Sequence, residues 1–320
     1  MYVAVEEWLA LIEGEYLREF VAAGGAAVKL AVVAPPLAAA DVRDRLERAA
    51  VANDFHFAFV DSARTKIHMV DHVFHAVARQ LDWDRLAEEF VRGLLEANGF
   101  VVPADPAAFD VPHIAAANAY SESELRRDVR HLLTAHVLND YAMTQEFRIA
   151  MVRLCQARLE PQAERDPEAL AIKEWLRGEL RLISALKPAL IFQKIARHNA
   201  RDTLFSLTHW LRLGRKQGLV LVLDVARYVT TRRAAEPDGS LYHSTAAAMD
   251  AYEVLRQFID GTDELEGCLI VVLAPPELLE DDRRGLSRYT ALKLRVWDEV
   301  HDRQRANPLS ALVRLRLGAA

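Results

Sequence analysis

The segment Gly218-Leu-Val-Leu-Val-Leu-Asp224 is apolar at every position between its ends, so a strand built from it needs cover on both faces. Such a strand belongs inside a parallel sheet clothed by helices. Cys268-Leu-Ile-Val-Val-Leu273 repeats the pattern. Val28-Lys-Leu-Ala-Val-Val33 and Phe55 to Val60, closing on Asp61, are short, β-branched or aromatic runs of strand type. Apolar positions recur at helical spacing over 5–22, 38–52 and 67–80, and again in a helix ending near Asp260. Helices alternating with four strands predict an α/β fold with a right-handed parallel sheet.

Between Asp82 and about Gly214 the pattern changes. Amphipathic stretches at 84–97, 122–138, 140–159, 167–185 and 199–213 follow one another, with breaks only at Pro103 to Pro106 and at Pro161. The expected organisation is therefore an N-terminal part of the sheet domain over 1–81, a large helical insertion over 82–214, and the rest of the sheet domain over 215–320. That last part contains a polar loop at 236–240 and a terminal helical segment.

A chain of 320 residues can bury its core without disulfides or metals, and the two cysteines, Cys155 and Cys268, sit in apolar patterns as buried free thiols would. A net charge of -6 argues against a generally basic nucleic-acid surface. The local arginine groups at 126–130, 212–216 and 283–295 read as solvated faces. Glu6 and Glu7 stand where a signal peptide carries lysines, and no apolar run approaches the ~20 residues of a membrane span, so a soluble, cytoplasmic protein is expected.

Several stretches carry a likeness. They are Leu204 to Asp224, Tyr252 to Asp260, Leu273-Ala-Pro-Pro-Glu-Leu-Leu-Glu-Asp-Asp282 and Arg284-Gly-Leu-Ser-Arg-Tyr-Thr-Ala-Leu-Lys-Leu-Arg295. Their order and spacing resemble the P-loop ATPases of bacterial phage-exclusion (BREX-type) defence systems, the BREX ATP-binding proteins. Glu15 to Phe20, Gly24-Gly25 and Lys29 to Val33 resemble that family's entry into its first strand, whereas the helical middle resembles no named family. The resemblance implies a P-loop NTPase-like sheet in which Leu219 to Asp224 is the strand whose aspartate holds Mg²⁺.

Departures from that pattern are concentrated where nucleotide chemistry would sit. A phosphate-binding loop reads G-x-x-x-x-G-K-[ST], because glycines let successive N–H groups point at the phosphates while Lys and a hydroxyl serve the γ-phosphate and Mg²⁺. Here the stretch is Ala34-Pro-Pro-Leu-Ala-Ala-Ala-Asp41. Pro35 and Pro36 have no N–H, alanines replace glycine, and Asp41 puts a carboxylate at the helix start. Asp224 is followed by Val225 where an ATPase places a water-orienting Glu, and Pro275 replaces a polar sensor residue. A degenerate site follows, made of Pro35, Pro36, Asp41, Asp224 and Pro275.

The expected role is accordingly a catalytically inactive, ATPase-like scaffold or regulatory subunit of a defence complex. It needs no cofactor, and its partner is a protein, for instance an active P-loop ATPase. Arg283, Arg284 and Arg288, expected in an exposed loop turned by Gly285, are candidates for an arginine donated to that partner, while Arg295 is expected to face the chain's own vacant site. Two alternatives stand beside this: a divergent ATPase with Asp224 on Mg²⁺ and ATP, or a nucleic-acid binder acting through the helical insertion. His68, His72 and His75 have the spacing of three imidazoles on one helix face, but a metal site generally takes ligands from a second segment, so packing is the favoured reading.

Overall fold

The computed structural model describes residues 1–161, 166–230, 239–297 and 306–318. Within these, contacts divide the chain into two compact units, 1–77 with 216–320 and 78–215.

The first unit is an α/β layer structure of P-loop type. Its strands are β1 (Val3–Ala4), β2 (Ala26–Val33), β3 (Phe55–Asp61), β4 (Gly218–Asp224), β5 (Cys268–Ala274) and β6 (Leu312–Arg316). They form one sheet in the order β1-β6-β2-β5-β4-β3, and every pairing is parallel. The four strands expected from their apolar runs are present within a residue or two of the expected bounds. β1 and β6 were not anticipated: one is two residues long, and the other is a five-residue alternation that buries only Val313 and Leu315. The chain therefore returns to the sheet after its last helix, which places β6 beside β2.

In β4 all six residues from Gly218 to Leu223 are buried, as the apolar run requires. Val220, Val222, Leu269, Val271 and Leu273 pack with Trp8 on one face, and Leu219, Leu221 and Leu223 are fully buried on the other. Each such leucine contributes on the order of 1.5–3 kcal/mol through apolar burial. Gly218 has a reason to be glycine: at φ 142° a Cβ would lie 1.8 Å from the Gly267 carbonyl oxygen.

The helices of the chain are α1 (Val5–Leu11), α2 (Ala39–Ala52), α3 (Val70–Ala78), α4 (Trp83–Ala97), α5 (Val111–Ala117), α6 (Glu122–Leu133) and α7 (Gln145–Arg158). They continue as α8 (Pro167–Arg177), α9 (Ala200–Leu213), α10 (Ala226–Thr230), α11 (Thr245–Asp260), α12 (Glu277–Glu280) and α13 (Thr290–Val296). The expected helix over 5–22 is α-helical only to Leu11 and widens to a π-helix over Ile12–Phe20. Much of the polar loop expected at 236–240 lies outside the described residues.

The second unit holds α4 to α9. Several of its helix starts are capped by side chains: Asp82 accepts from the Arg85 N–H, Asp166 from the Glu168 N–H, and Ser121 with Glu124 forms a capping box. Two expected bounds are corrected. The helix begun at 140 starts at Gln145, because Asp140 turns back onto the Ala142 N–H. The helix expected to reach 185 stops at Arg177, because Gly178 takes the left-handed conformation at φ 75°. Beyond it the chain makes a short 3-10 turn at Ile183–Leu186 and then runs without regular structure to α9.

Candidate functional site

In an open parallel sheet, ligands lie beyond the carboxyl ends of the strands, at the point where successive connections leave in opposite directions. Here that point is the end of β2. The chain leaves β2 for β3 on one side of it, and leaves β5 for β6 on the other. The registers Val32 opposite Ala274 and Leu273 opposite Asp224 level the ends of β2, β5 and β4. Pro35, Pro36, Pro275 and Asp224 therefore come to one edge of the sheet, with Asp41 in the first turn of α2.

The turn from β2 into α2 is closed upon itself. The Ala34 N–H donates to the Leu315 carbonyl at 3.0 Å, the Leu37 N–H donates to the Ala34 carbonyl at 3.1 Å, and Pro35 and Pro36 have no N–H to give. The Pro35-Pro36 peptide bond is cis. Leu37 is buried in the core cluster and anchors the turn, while both prolines are exposed. At the helix start Ala38 provides no side-chain cap, the Asp41 N–H donates to the Ala38 carbonyl, and the Asp41 side chain is exposed. A triphosphate needs converging N–H donors and a cation, and this turn offers alanines, prolines and a carboxylate. The glycines and the lysine of a phosphate-binding loop do not occur in this turn.

The neighbouring strand ends differ. Asp224 of β4 lies directly opposite Asp61 of β3, a residue that the sequence reading did not assign to the site. Each carboxylate accepts from the backbone two residues on, Asp224 from the Ala226 N–H at 2.8 Å and Asp61 from the Ala63 N–H at 2.7 Å. Burial pushes the Asp224 carboxyl above the ordinary aspartate range. The Ala226 N–H opposes this, the facing Asp61 adds to it, and Arg43 opposes it. Arg43 comes from α2, where it stacks 5.0 Å from the Phe59 ring and pairs with Asp44 at 2.6 Å. Val225, where an ATPase would place its glutamate, is fully buried with its N–H on the Leu273 carbonyl.

Beside these acids lies a second cluster. Ser62, fully buried, gives its N–H to the Asp224 carbonyl at 3.0 Å and accepts the His243 imidazole on its own carbonyl at 2.7 Å. His243 stacks on Tyr228 at 4.0 Å between ring centroids, and the Tyr228 hydroxyl meets the His68 Nδ1 at 2.7 Å. Burial first, then nearby positive groups, hold both imidazoles below the ordinary histidine pKa. His68 precedes α3 rather than lying on it, so the helical spacing of His68, His72 and His75 does not put the three imidazoles on one helix face.

The arginines are only partly where they were expected. Arg284 is half-buried and straps the cluster: its Nη1 donates to the His243 carbonyl at 2.9 Å and the Tyr228 carbonyl at 3.2 Å. The Tyr252 hydroxyl donates to the Arg284 carbonyl at 2.5 Å. Gly285 permits this bend, since a Cβ there would sit 2.3 Å from the Asp281 carbonyl oxygen. Arg295 does not face the strand ends. It is held by Asp260 at the C-terminal end of α11, and that helix runs from the strand-end cluster toward the opposite edge of the sheet. Arg283 and Arg288 are exposed as expected.

A family model described as BREX system ATP-binding protein BrxC/D matches residues 104–317, about two thirds of the chain, and the chain belongs to that family. The match takes in the stretches at 204–295 that carried the resemblance. It also covers most of the helical middle, which resembled no named family, and leaves 1–103, with the β2–α2 turn, outside it. No curated protein and no solved structure matches.

Proposed function

We propose that this BREX-family protein is an ATPase-like subunit that does not hydrolyse nucleotide and serves a multi-protein defence assembly as scaffold or regulator. The observation that carries the reading is the β2–α2 turn, where Pro35 and Pro36 have no N–H, Leu37 gives its N–H to the Ala34 carbonyl, and alanines and Asp41 stand in place of glycines and a lysine. A nucleotide held there would meet Asp41 instead of a lysine, without the N–H cradle that binds phosphates at helix starts. No cofactor is required by this role, and a cytoplasmic setting follows from a partner that handles nucleotide. Among the described residues no helix is long and apolar enough to cross a membrane.

Arg283 and Arg288 are the exposed side chains suited to reach a partner's phosphates, since Arg284 and Arg295 are engaged within their own chain. A donated arginine can change phosphoryl-transfer rates by about 10³–10⁵. The test is to mix the protein with the ATPase encoded beside it and follow turnover, comparing wild type with Arg283→Ala/Arg288→Ala. Stimulation lost in a variant that still binds supports the reading; a wild type that neither binds nor alters turnover refutes it.

A second reading rests on the facing pair Asp61 and Asp224. Two level carboxylates at a strand end are the cation half of a nucleotide site, so a divergent protein that binds ATP with Mg²⁺ on Asp224 is the alternative. Direct nucleotide titration separates the two.

A further inference from the structure

The helical unit contains a surface of a different kind between α8 and α9. From Leu180 to Arg201 the chain has no Asp or Glu but carries Arg181, Lys187, Lys194, Arg197 and Arg201. The Lys194 ammonium donates to the Arg181 carbonyl at 3.1 Å, so residues 181–194 form a loop with joined ends. Trp175 pins its return strand by donating to the Gln193 carbonyl at 2.9 Å. The loop is thus a fixed structure with an inside, filled by Leu186, Ala189 and Ile191, all fully buried.

Its outside is what needs explaining. Along 189–192 buried and exposed side chains alternate. Ala189 and Ile191 point in, and the outward positions are Leu190, 57 % exposed, and Phe192, 60 % exposed, where a solvated loop would place polar residues. Leu182 in the same loop is 70 % exposed. Leu190 is moreover held at φ 63°, a region that a leucine adopts only at a cost and that recurs at functional positions.

The charge in this loop is unanswered. Among the described residues, Arg181, Lys187 and Arg197 have no carboxylate partner within ion-pair distance, whereas Arg126 on α6 is met by both Glu122 and Glu160. An apolar centre with a charged rim is the anatomy of a protein interface, with aromatic and aliphatic anchors inside and complementary charge outside. A nucleic-acid surface would need the cations but has no use for Leu182 and Leu190. We propose that the 181–197 loop docks an acidic amphipathic segment of a partner protein, with Leu182, Leu190 and Phe192 as anchors and Arg181, Lys187 and Arg197 facing its carboxylates. This does not depend on the reading of the strand-end site, and either can fail alone.

The test uses the full chain and a fluorescein-labelled peptide of roughly 20 residues, with Leu and Phe at helical spacing and Glu elsewhere. Controls are a scramble of equal composition, a Lys-for-Glu version and a single-stranded oligonucleotide. Saturable binding of the acidic peptide is expected, weakened about tenfold or more in Leu190→Ser/Phe192→Ser, whose fold is checked by circular dichroism. Arg181→Glu/Lys187→Glu/Arg197→Glu should lose the acidic peptide and gain the Lys-for-Glu version. Equal binding of the scramble, indifference to either variant, no binding at all, or preference for the oligonucleotide would each overturn the proposal.

Discussion

At the end of β2 the chain turns on two prolines and gives the Ala34 and Leu37 N–H groups to its own backbone, whereas at the ends of β4 and β3 it keeps two carboxylates level with each other. On the proposed reading, one sheet edge carries the side chains of a cation site without the glycine loop of a phosphate site. On that reading, the difference teaches where such a site is lost with least disturbance to the core. Strand ends are fixed by the register of a buried sheet and cannot change without disturbing the core, while the connecting turn is exposed and free to lose its glycines.

The contrast can be sharpened by asking how firmly each half is held. Leu37 is the buried anchor of the turn, and Leu37→Ala should cost about 2–5 kcal/mol in denaturant unfolding. A cost below about 0.5 kcal/mol would mean that the turn is loose and able to reshape around a ligand.

The strand-end cluster should show itself in pH dependence. His68 and His243 have folded pKa values below the ordinary 6.5, so the folded state binds fewer protons than the unfolded state as the pH falls through that value. The stability they contribute is present above about pH 6.5 and is lost on acidification toward their lowered values. Lys66, Arg227 and Arg284 add to this, Asp250 opposes it at His68, and the Ser62 carbonyl opposes it at His243. His243→Gln keeps a donor toward Ser62 and should flatten the loss, by about 1 kcal/mol between pH 7 and pH 5. An unchanged slope would remove the cluster from the account.

Asp224→Asn has the opposite sign. Its folded pKa is raised, so the ionised carboxylate costs stability above the ordinary aspartate pKa of about 4, and the cost fades where the acid is protonated in both states. The asparagine can still accept the Ala226 N–H. The variant should be more stable by about 1 kcal/mol at pH 7 and equal to wild type near pH 3. Stabilisation of wild type by millimolar Mg²⁺ that is absent in the variant would instead favour the cation-binding alternative.

The smallest effect is expected at Asp41. It is exposed in the first turn of α2, and Asp41→Asn should change stability by only ~0.3–1 kcal/mol, a helix-dipole contribution. A larger loss would give Asp41 a partner that the turn does not otherwise reveal.

Strands β4 and β5 were legible because burial on two faces leaves an unbroken apolar run, and β2 and β3 because their runs are rich in β-branched or aromatic residues. β1 and β6 were not, since two residues, or five with alternate arginines, bury too little to stand out. The prolines of the turn could be read directly from the sequence, because a missing N–H is a property of the residue alone. Asp61 had a signal that was overlooked: Phe55–Asp61 and Gly218–Asp224 are strands of equal length ending in the same residue. His243 and Arg284 had none. They meet the strand ends across 181 and 41 residues of chain, respectively to Ser62 and to His243, and no periodicity encodes such a contact. Arg284 was expected in solvent because Gly285 marks a turn, but that turn carries the guanidinium inward. Arg295 was misplaced for a related reason, its partner Asp260 being set by helix direction rather than by sequence distance.

The central claim is that the β2–α2 turn cannot hold a triphosphate. Isothermal titration of the purified chain with ATP and with GTP, each in the presence of Mg²⁺, tests it most directly. The account predicts no saturable binding tighter than about millimolar, because prolines, alanines and a carboxylate stand where the glycines and lysine that would supply it belong. Saturable binding at micromolar nucleotide, abolished by Asp224→Ala, would contradict it.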